Sequence, residues 1–290
     1  MADIIKESDN SRSNPWDLSL GEFIASCVSH DPDKVFIEIA GQKISYKKLQ
    51  ESSSQTASMF KSLGIGYGDR VCLYLPNCAE FLYAWFGLSR IGAIAVPVNT
   101  AYKTAETAYI LNDAEASAVV GHIDILSSLA EAVGLCDSVN HCLIVDPYRE
   151  GDRSDQHKGW IDFTSRIETS GLYEPGIDIS PSDVSMLVYT SGTTGNPKGV
   201  QVTHKMYVAA GQGFAHWTHA TDKDRFFTCL PYFHANAQYY STMGALAARA
   251  TLIVSDRFSA SAFWGQVRES QATVVNFIGM MMPVLSKQDP

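Results

Sequence analysis

From Val71 onward, apolar runs of strand length alternate with longer stretches of helix length, the pattern of a parallel sheet covered by helices. Val71 to Leu75, Ile94 to Val98, Ala118 to Val120 and Cys142 to Val145 read as strands. Helices are expected over Asn77 to Ser89, near Ala105 to Leu111 and near Ile123 to Val133. Ala79 to Leu88 is apolar nearly all round, which predicts a helix buried between layers. Upstream, Ser45 can cap a helix that carries Leu49, Thr56, Phe60 and Leu63 at packing intervals, with Gly64 ending it. Gly64, Gly66 and Gly68 imitate a G-x-G pattern, but they follow a helix and precede a strand. That is the reverse of the dinucleotide fingerprint, so they read as a turn.

Between Asp146 and Gly176 the rhythm lapses into charges, glycines and prolines, which predicts a boundary. Residues 1–176 are expected to form a first α/β subdomain with an amino-terminal extension, and residues 177–290 a second. The second opens with a strand from Val184 to Tyr189, a glycine-rich loop and a helix from about Thr203. Further strands are expected near Phe226 to Leu230, Leu252 to Val254 and Thr273 to Phe277, with helices in the intervals. The fold class is therefore α/β, in two layered parts.

Composition narrows the partners. The chain has 290 residues, 46% of them hydrophobic, enough to bury a large core. Asp and Glu outnumber Lys and Arg by 31 to 22, and a net charge of -9 repels the backbone of nucleic acid. A small pocket of backbone N–H groups with one lysine can still bind an anionic nucleotide. The six cysteines include no C-x-x-C pair and read as buried free thiols. No run approaches the length of a membrane span, and Met1 to Asn14 lacks the apolar stretch of a signal peptide, so the expected location is the cytoplasm.

The chemistry concentrates in Tyr189-Thr190-Ser191-Gly192-Thr193-Thr194-Gly195-Asn196-Pro197-Lys198-Gly199. Gly192, Gly195 and Gly199 let backbone N–H groups approach an anion; Thr190, Ser191, Thr193 and Thr194 add hydroxyl donors; Lys198 adds a full positive charge. Hydrogen bonds to charged groups contribute roughly 1.5–3 kcal/mol each, so several together can hold a triphosphate. The ordinary P-loop needs Gly-Lys followed by Ser or Thr, whereas Lys198 lies between Pro197 and Gly199.

This loop resembles the signature phosphate loop of the adenylate-forming, or AMP-binding, superfamily: acyl-CoA synthetases, peptide-synthetase adenylation domains and luciferases. Weaker motifs extend the resemblance from about Leu20 to Pro290: Ile44 to Leu49, Leu88-Ser89-Arg90-Ile91-Gly92-Ala93 running to Val96-Pro97-Val98-Asn99, and Leu230-Pro231-Tyr232-Phe233-His234. Ser259 to Val267, after Asn236-Ala237-Gln238, is similar to the crotonobetaine/carnitine CoA ligase branch.

The resemblance implies that a carboxylic acid attacks the α-phosphate of ATP and the acyl-adenylate then passes its acyl group to CoA, usually with Mg²⁺. Transfer to a carrier-protein thiol and a noncatalytic nucleotide-binding remnant are the alternatives. Thr190 to Lys198 would hold the β- and γ-phosphates, with Thr194 in the metal's environment and Thr194, Lys198 and His234 as the catalytic set. From the residues alone, His234 is equally a packed core histidine; the motif around it implies a place beside the acyl group. His204, His216 and His219 lack a third ligand at metal spacing and read as structural, and Phe263 and Trp264 read as core. Against the superfamily pattern, the chain stops before the adenine-binding segment, a metal-coordinating acid, the ribose-binding aspartate and the mobile domain with the catalytic lysine. The resemblance thus implies an amino-terminal portion with an incomplete second subdomain, whose open face is expected to favour self-association. Acyl specificity is not encoded in any motif found.

Overall fold

The computed structural model describes residues 16–147, 159–190 and 196–288. The chain opens with α1 (Leu20–Val28), capped by Ser19 and Glu22 in a reciprocal capping box. A hairpin follows, β1 (Val35–Ile39) and β2 (Gln42–Ser45), joined by Ala40 and Gly41 at φ 48° and 75°. Two consecutive left-handed residues match the right-handed strand twist, which makes this turn a tight hairpin. The sequence reading missed both strands. Ser45 then caps α2 (Tyr46–Ser62) as expected, its hydroxyl accepting from the Lys48 N–H at 3.1 Å. Gly64 and Gly68 take left-handed conformations in the following turn, at φ 82° and 80°.

Next come β3 (Arg70–Tyr74), α3 (Ala79–Arg90), β4 (Ile94–Pro97), α4 (Thr104–Asp113), β5 (Ala118–His122), α5 (Leu126–Val133) and β6 (His141–Val145). All were legible as elements from hydrophobic rhythm. α3 is buried at nine of its twelve positions, in keeping with its all-round apolar sequence. Beyond residue 158, β7 (Ile161–Asp162) and α6 (Phe163–Glu168) occupy part of the stretch read as a boundary. β8 (Val184–Thr190) and β9 (Lys198–Thr203) precede α7 (His204–Trp217), β10 (Arg225–Thr228), α8 (Met243–Ala248), β11 (Thr251–Val254), α9 (Ala260–Glu269), β12 (Val274–Asn276) and α10 (Met282–Leu285).

Two sheets result. One has the order β7-β6-β5-β3-β4-β8-β9 and is parallel except for β9; the other has the order β12-β10-β11-β1-β2 and is parallel except for β2. The division expected at residue 177 does not coincide with them. β8 and β9 extend the first sheet beside β4, and the β1–β2 hairpin joins the second by pairing β1 with β11 in parallel. Hydrophobic rhythm marks a strand but carries no record of its neighbour, so the lapse in rhythm between Asp146 and Gly176 does not mark a change of sheet.

The sheets are locked together at helix contacts. Trp85 of α3 lies 4.7 Å from Tyr207 of α7, ring centroid to centroid. Phe263 is buried against Phe227 at 5.7 Å, a core role as read, and Trp264 packs partly buried against the same core. A Cβ added to Gly211 would lie 2.4 Å from the Met243 carbonyl oxygen, so α7 and α8 touch there backbone to backbone. Gly211→Ala is expected to cost about 2 kcal/mol from forced separation of the helices, measurable by urea unfolding; an unchanged midpoint would contradict so tight a contact.

β12 lies at the edge of its sheet, and Phe277, Met280, Met282 and Val284 beyond it are exposed. No helix among the described residues is long and apolar enough to cross a membrane.

Candidate functional site

In an open α/β sheet, ligands bind beyond the carboxyl ends of the strands, where successive connections depart in opposite directions. Both sheets have such a point. β3 is flanked by β4 on one side and β5 on the other; β10 is flanked by β11 and β12.

The two points meet at one side chain. Asn77, three residues beyond β3, is buried; its Nδ2 donates to the carbonyls of Leu230 at 3.1 Å and Ser255 at 3.0 Å, and its Oδ1 accepts from the Tyr232 N–H at 2.9 Å. Leu230 follows β10 and Ser255 follows β11. The carboxyl ends of β3, β10 and β11 therefore converge. Because β8 runs parallel to β4, and β4 to β3, the carboxyl end of β8, carrying Thr190, lies at the same end of its sheet.

Thr190 and Lys198 are register partners, both exposed, at the neck of the β8–β9 hairpin. The sequence places Lys198 at the end of a loop leading to a helix; in the fold it starts a strand, and the helix begins at His204. Val200, Val202 and the β-branched end of this segment suit a strand, but Pro197-Lys198-Gly199 hid it. No carboxylate among the described residues pairs with Lys198. A cation beside a hydroxyl suits a polyphosphate. The other expected loop residues, Ser191, Gly192, Thr193, Thr194 and Gly195, lie outside the described residues, and with them the metal role assigned to Thr194.

His234 is exposed on the turn after β10, with its N–H donated to the Pro231 carbonyl at 3.0 Å and its ring 4.6 Å from that of Phe233. Protein atoms around the ring strip away part of its water and hold its pKa below the ordinary value. Among the described residues it makes no side-chain hydrogen bond to Thr190 or Lys198. It is not a packed core histidine, and it stands where the strand ends converge.

Sequence reasoning missed the scaffold of this turn. The Tyr207 hydroxyl donates to Gln238 Oε1 at 2.6 Å, and Gln238 Nε2 donates to the Tyr232 carbonyl at 2.6 Å, both side chains being fully buried. Tyr232 stacks on Phe81 of α3 at 5.2 Å. Gln238 sits in a π-helical turn, Ala237–Thr242, a widened geometry frequent at functional sites. Asn276, at the end of β12, donates to Asn236 Oδ1 at 2.5 Å and Ser241 Oγ at 2.9 Å. The polar run Asn236-Ala237-Gln238 in an otherwise apolar stretch was the available signal.

His204, read as structural, is buried; its Nδ1 accepts from the Leu20 N–H at 3.1 Å. His216 and His219 are exposed. Among the described residues, no group of three His, Cys, Asp or Glu side chains could hold a metal ion. All six cysteines are free thiols, and burial raises the pKa of each.

The family described as AMP-binding enzyme matches residues 24–290. A crotonobetaine/carnitine–CoA ligase from Salmonella agona is 37% identical over 248 residues, 85% of this chain and 47% of that protein. The chain thus spans about half the length of the curated relatives it matches. Among solved structures, the anthranilate CoA ligase AuaEII in complex with anthranoyl-AMP superposes with a TM-score of 0.83 at 22% identity, covering 90% of this chain and 50% of that one. Mycobacterium smegmatis MbtA, in its apo structure, gives 0.82 at 25% identity, covering 93% and 50%.

Proposed function

The chain belongs to the AMP-binding enzyme family, and from that premise we propose that it carries the phosphate-binding part of an ATP-dependent acid–thiol ligase that activates a carboxylic acid for transfer to CoA. The observation that carries this reading is the family's loop sequence between β8 and β9, whose described ends, Thr190 and Lys198, are register partners at the carboxyl end of the first sheet, with Lys198 paired to no carboxylate among the described residues. The names of the relatives support CoA as the thiol: the curated proteins are CoA ligases, and a structural neighbour holds anthranoyl-AMP.

In the proposed reaction, a carboxylate oxygen attacks the α-phosphorus of ATP, the bond from that phosphorus to the bridging oxygen breaks, and pyrophosphate leaves. The CoA sulfur then attacks the acyl carbon, the thiol proton passes to solvent, and AMP departs. No protein nucleophile takes part. Lys198 and the hydroxyls from Thr190 to Thr194 hold the β- and γ-phosphates and neutralise charge on the departing pyrophosphate. His234, accessible and held mostly neutral at physiological pH by partial burial, would stand beside the acyl and α-phosphate positions, as the motif around it implies. Mg²⁺, when bound, supplies further neutralisation of the polyphosphate, with Thr194 in its environment. A substrate pool of ATP and CoA and six free thiols support a cytoplasmic location.

Calorimetry with Mg·ATP on this chain tests the proposal. Lys198→Ala is expected to weaken binding roughly 10- to 100-fold, the loss of one hydrogen bond to a charged group, and Thr194→Ala to weaken it less, with folding checked by circular dichroism. Equal affinity of the wild type and both variants would remove the loop from the nucleotide site.

A further inference from the structure

We propose that Asp113, with Tyr109 and Tyr189, is a positioning clamp that ties both ends of the glycine-rich loop to the last turn of α4. The clamp's role, though not its existence, rests on that loop's being the nucleotide site.

The Tyr189 hydroxyl donates to Asp113 Oδ2 at 2.6 Å. The Tyr109 hydroxyl lies 3.3 Å from Asp113 Oδ1 and 3.2 Å from the Pro197 carbonyl oxygen, so its single proton is shared between them. Tyr189 immediately precedes Thr190, and Pro197 immediately precedes Lys198. One carboxylate therefore holds the entry of the loop directly, and a tyrosine one helical turn earlier reaches its exit. Gly199 completes the contact: it is the register partner of Tyr189, and an added Cβ would press on the Tyr189 ring at 3.3 Å. The ring thus covers the backbone of β9 while its hydroxyl reaches Asp113.

Asp113 is the last residue of α4, where the helix dipole presents its negative end and a cation is favoured. A carboxylate there works against helix stability. Its two phenol partners give it a use that helix formation does not. Burial first, and then the hydrogen bond to Asp113, push the Tyr189 pKa upward, so the phenol remains a donor across the physiological range.

A merely structural Asp113 and a clamp predict different patterns of cleavage. Asp113→Ala removes an unfavourable charge and adds a better helix former but loses the phenol hydrogen bonds, so the urea midpoint of this chain is expected to change little. Loss of the clamp is expected to speed tryptic cleavage after Lys198, followed by mass spectrometry, roughly tenfold. Asp113→Asn, whose Oδ1 still accepts a phenol proton, should fall between Ala and wild type. Unchanged cleavage at Lys198 in Asp113→Ala overturns the clamp, as does faster cleavage at every site together with a lower midpoint. Adding Mg·ATP to the wild type separates the two readings. Protection of Lys198 supports the nucleotide site; no protection, with the Asp113→Ala effect intact, leaves the clamp standing and removes the nucleotide.

Discussion

Asn77→Ala is expected to lower the unfolding free energy by about 4 kcal/mol, from buried partners left unsatisfied at roughly 1–3 kcal/mol each. The side chain makes three hydrogen bonds to three separate backbone groups: the carbonyls of Leu230 and Ser255, and the N–H of Tyr232. No neighbour within the same strand can replace them, because they join the end of β3 to the ends of β10 and β11. The same loss frees the turn that carries His234. Urea unfolding with an unchanged slope would report the stability term. A loss below about 1 kcal/mol would mean that water satisfies the exposed groups once the amide is gone.

His204 governs the second large effect, a fall in stability with acid. Burial is the main cause that lowers its pKa from 6.5 to about 4, against the opposing charges of Asp183 and Glu22. Its Nδ1 accepts from Leu20 N–H, so the folded protein holds the neutral ring with its proton on Nε2; protonating Nδ1 would break that bond, and the buried Nε2–H has no acceptor among the described residues to stabilise the cation. Between these two pH values the unfolded chain binds the proton and the folded chain does not, so unfolding is favoured as pH falls. This contribution is absent above the unfolded pKa and grows to roughly 3 kcal/mol of destabilisation below about pH 4. His204→Asn places an acceptor near the Nδ1 position without a titrating ring. Its urea stability, measured from pH 7 to pH 4 beside the wild type, should fall less steeply; parallel curves would show that the acid loss lies with other groups.

The strands from Val71 to Val145 were legible as short continuous apolar runs, because a parallel strand between helices is buried on both faces, and the helices as the longer apolar-rich stretches between them. Ser45 and Gly64 fixed the ends of α2 through local hydrogen bonding and a left-handed turn, which need no distant partner. The glycine-rich loop and its Lys198 were likewise local: the residue types needed to surround phosphate stand side by side in the chain. β2 and β9 escaped because short, exposed strands carry few apolar residues, whereas β1, buried at three of its five positions, escaped although Val35-Phe36-Ile37 is an apolar run.

Tertiary structure decided what lies far apart in sequence. β1 pairs with β11, Asn77 bonds across to Leu230 and Ser255, Tyr207 reaches Gln238, and Asp113 grips Tyr189. Each of these joins groups whose spacing along the chain leaves no periodic trace. Sequence by itself determined the α/β class and the buried α3, since these follow from local composition and rhythm. Only the folded chain decided which sheet owns each strand and which side chains hold the loop and the His234 turn, since a hydrogen bond between distant segments is set by the packing of everything between them.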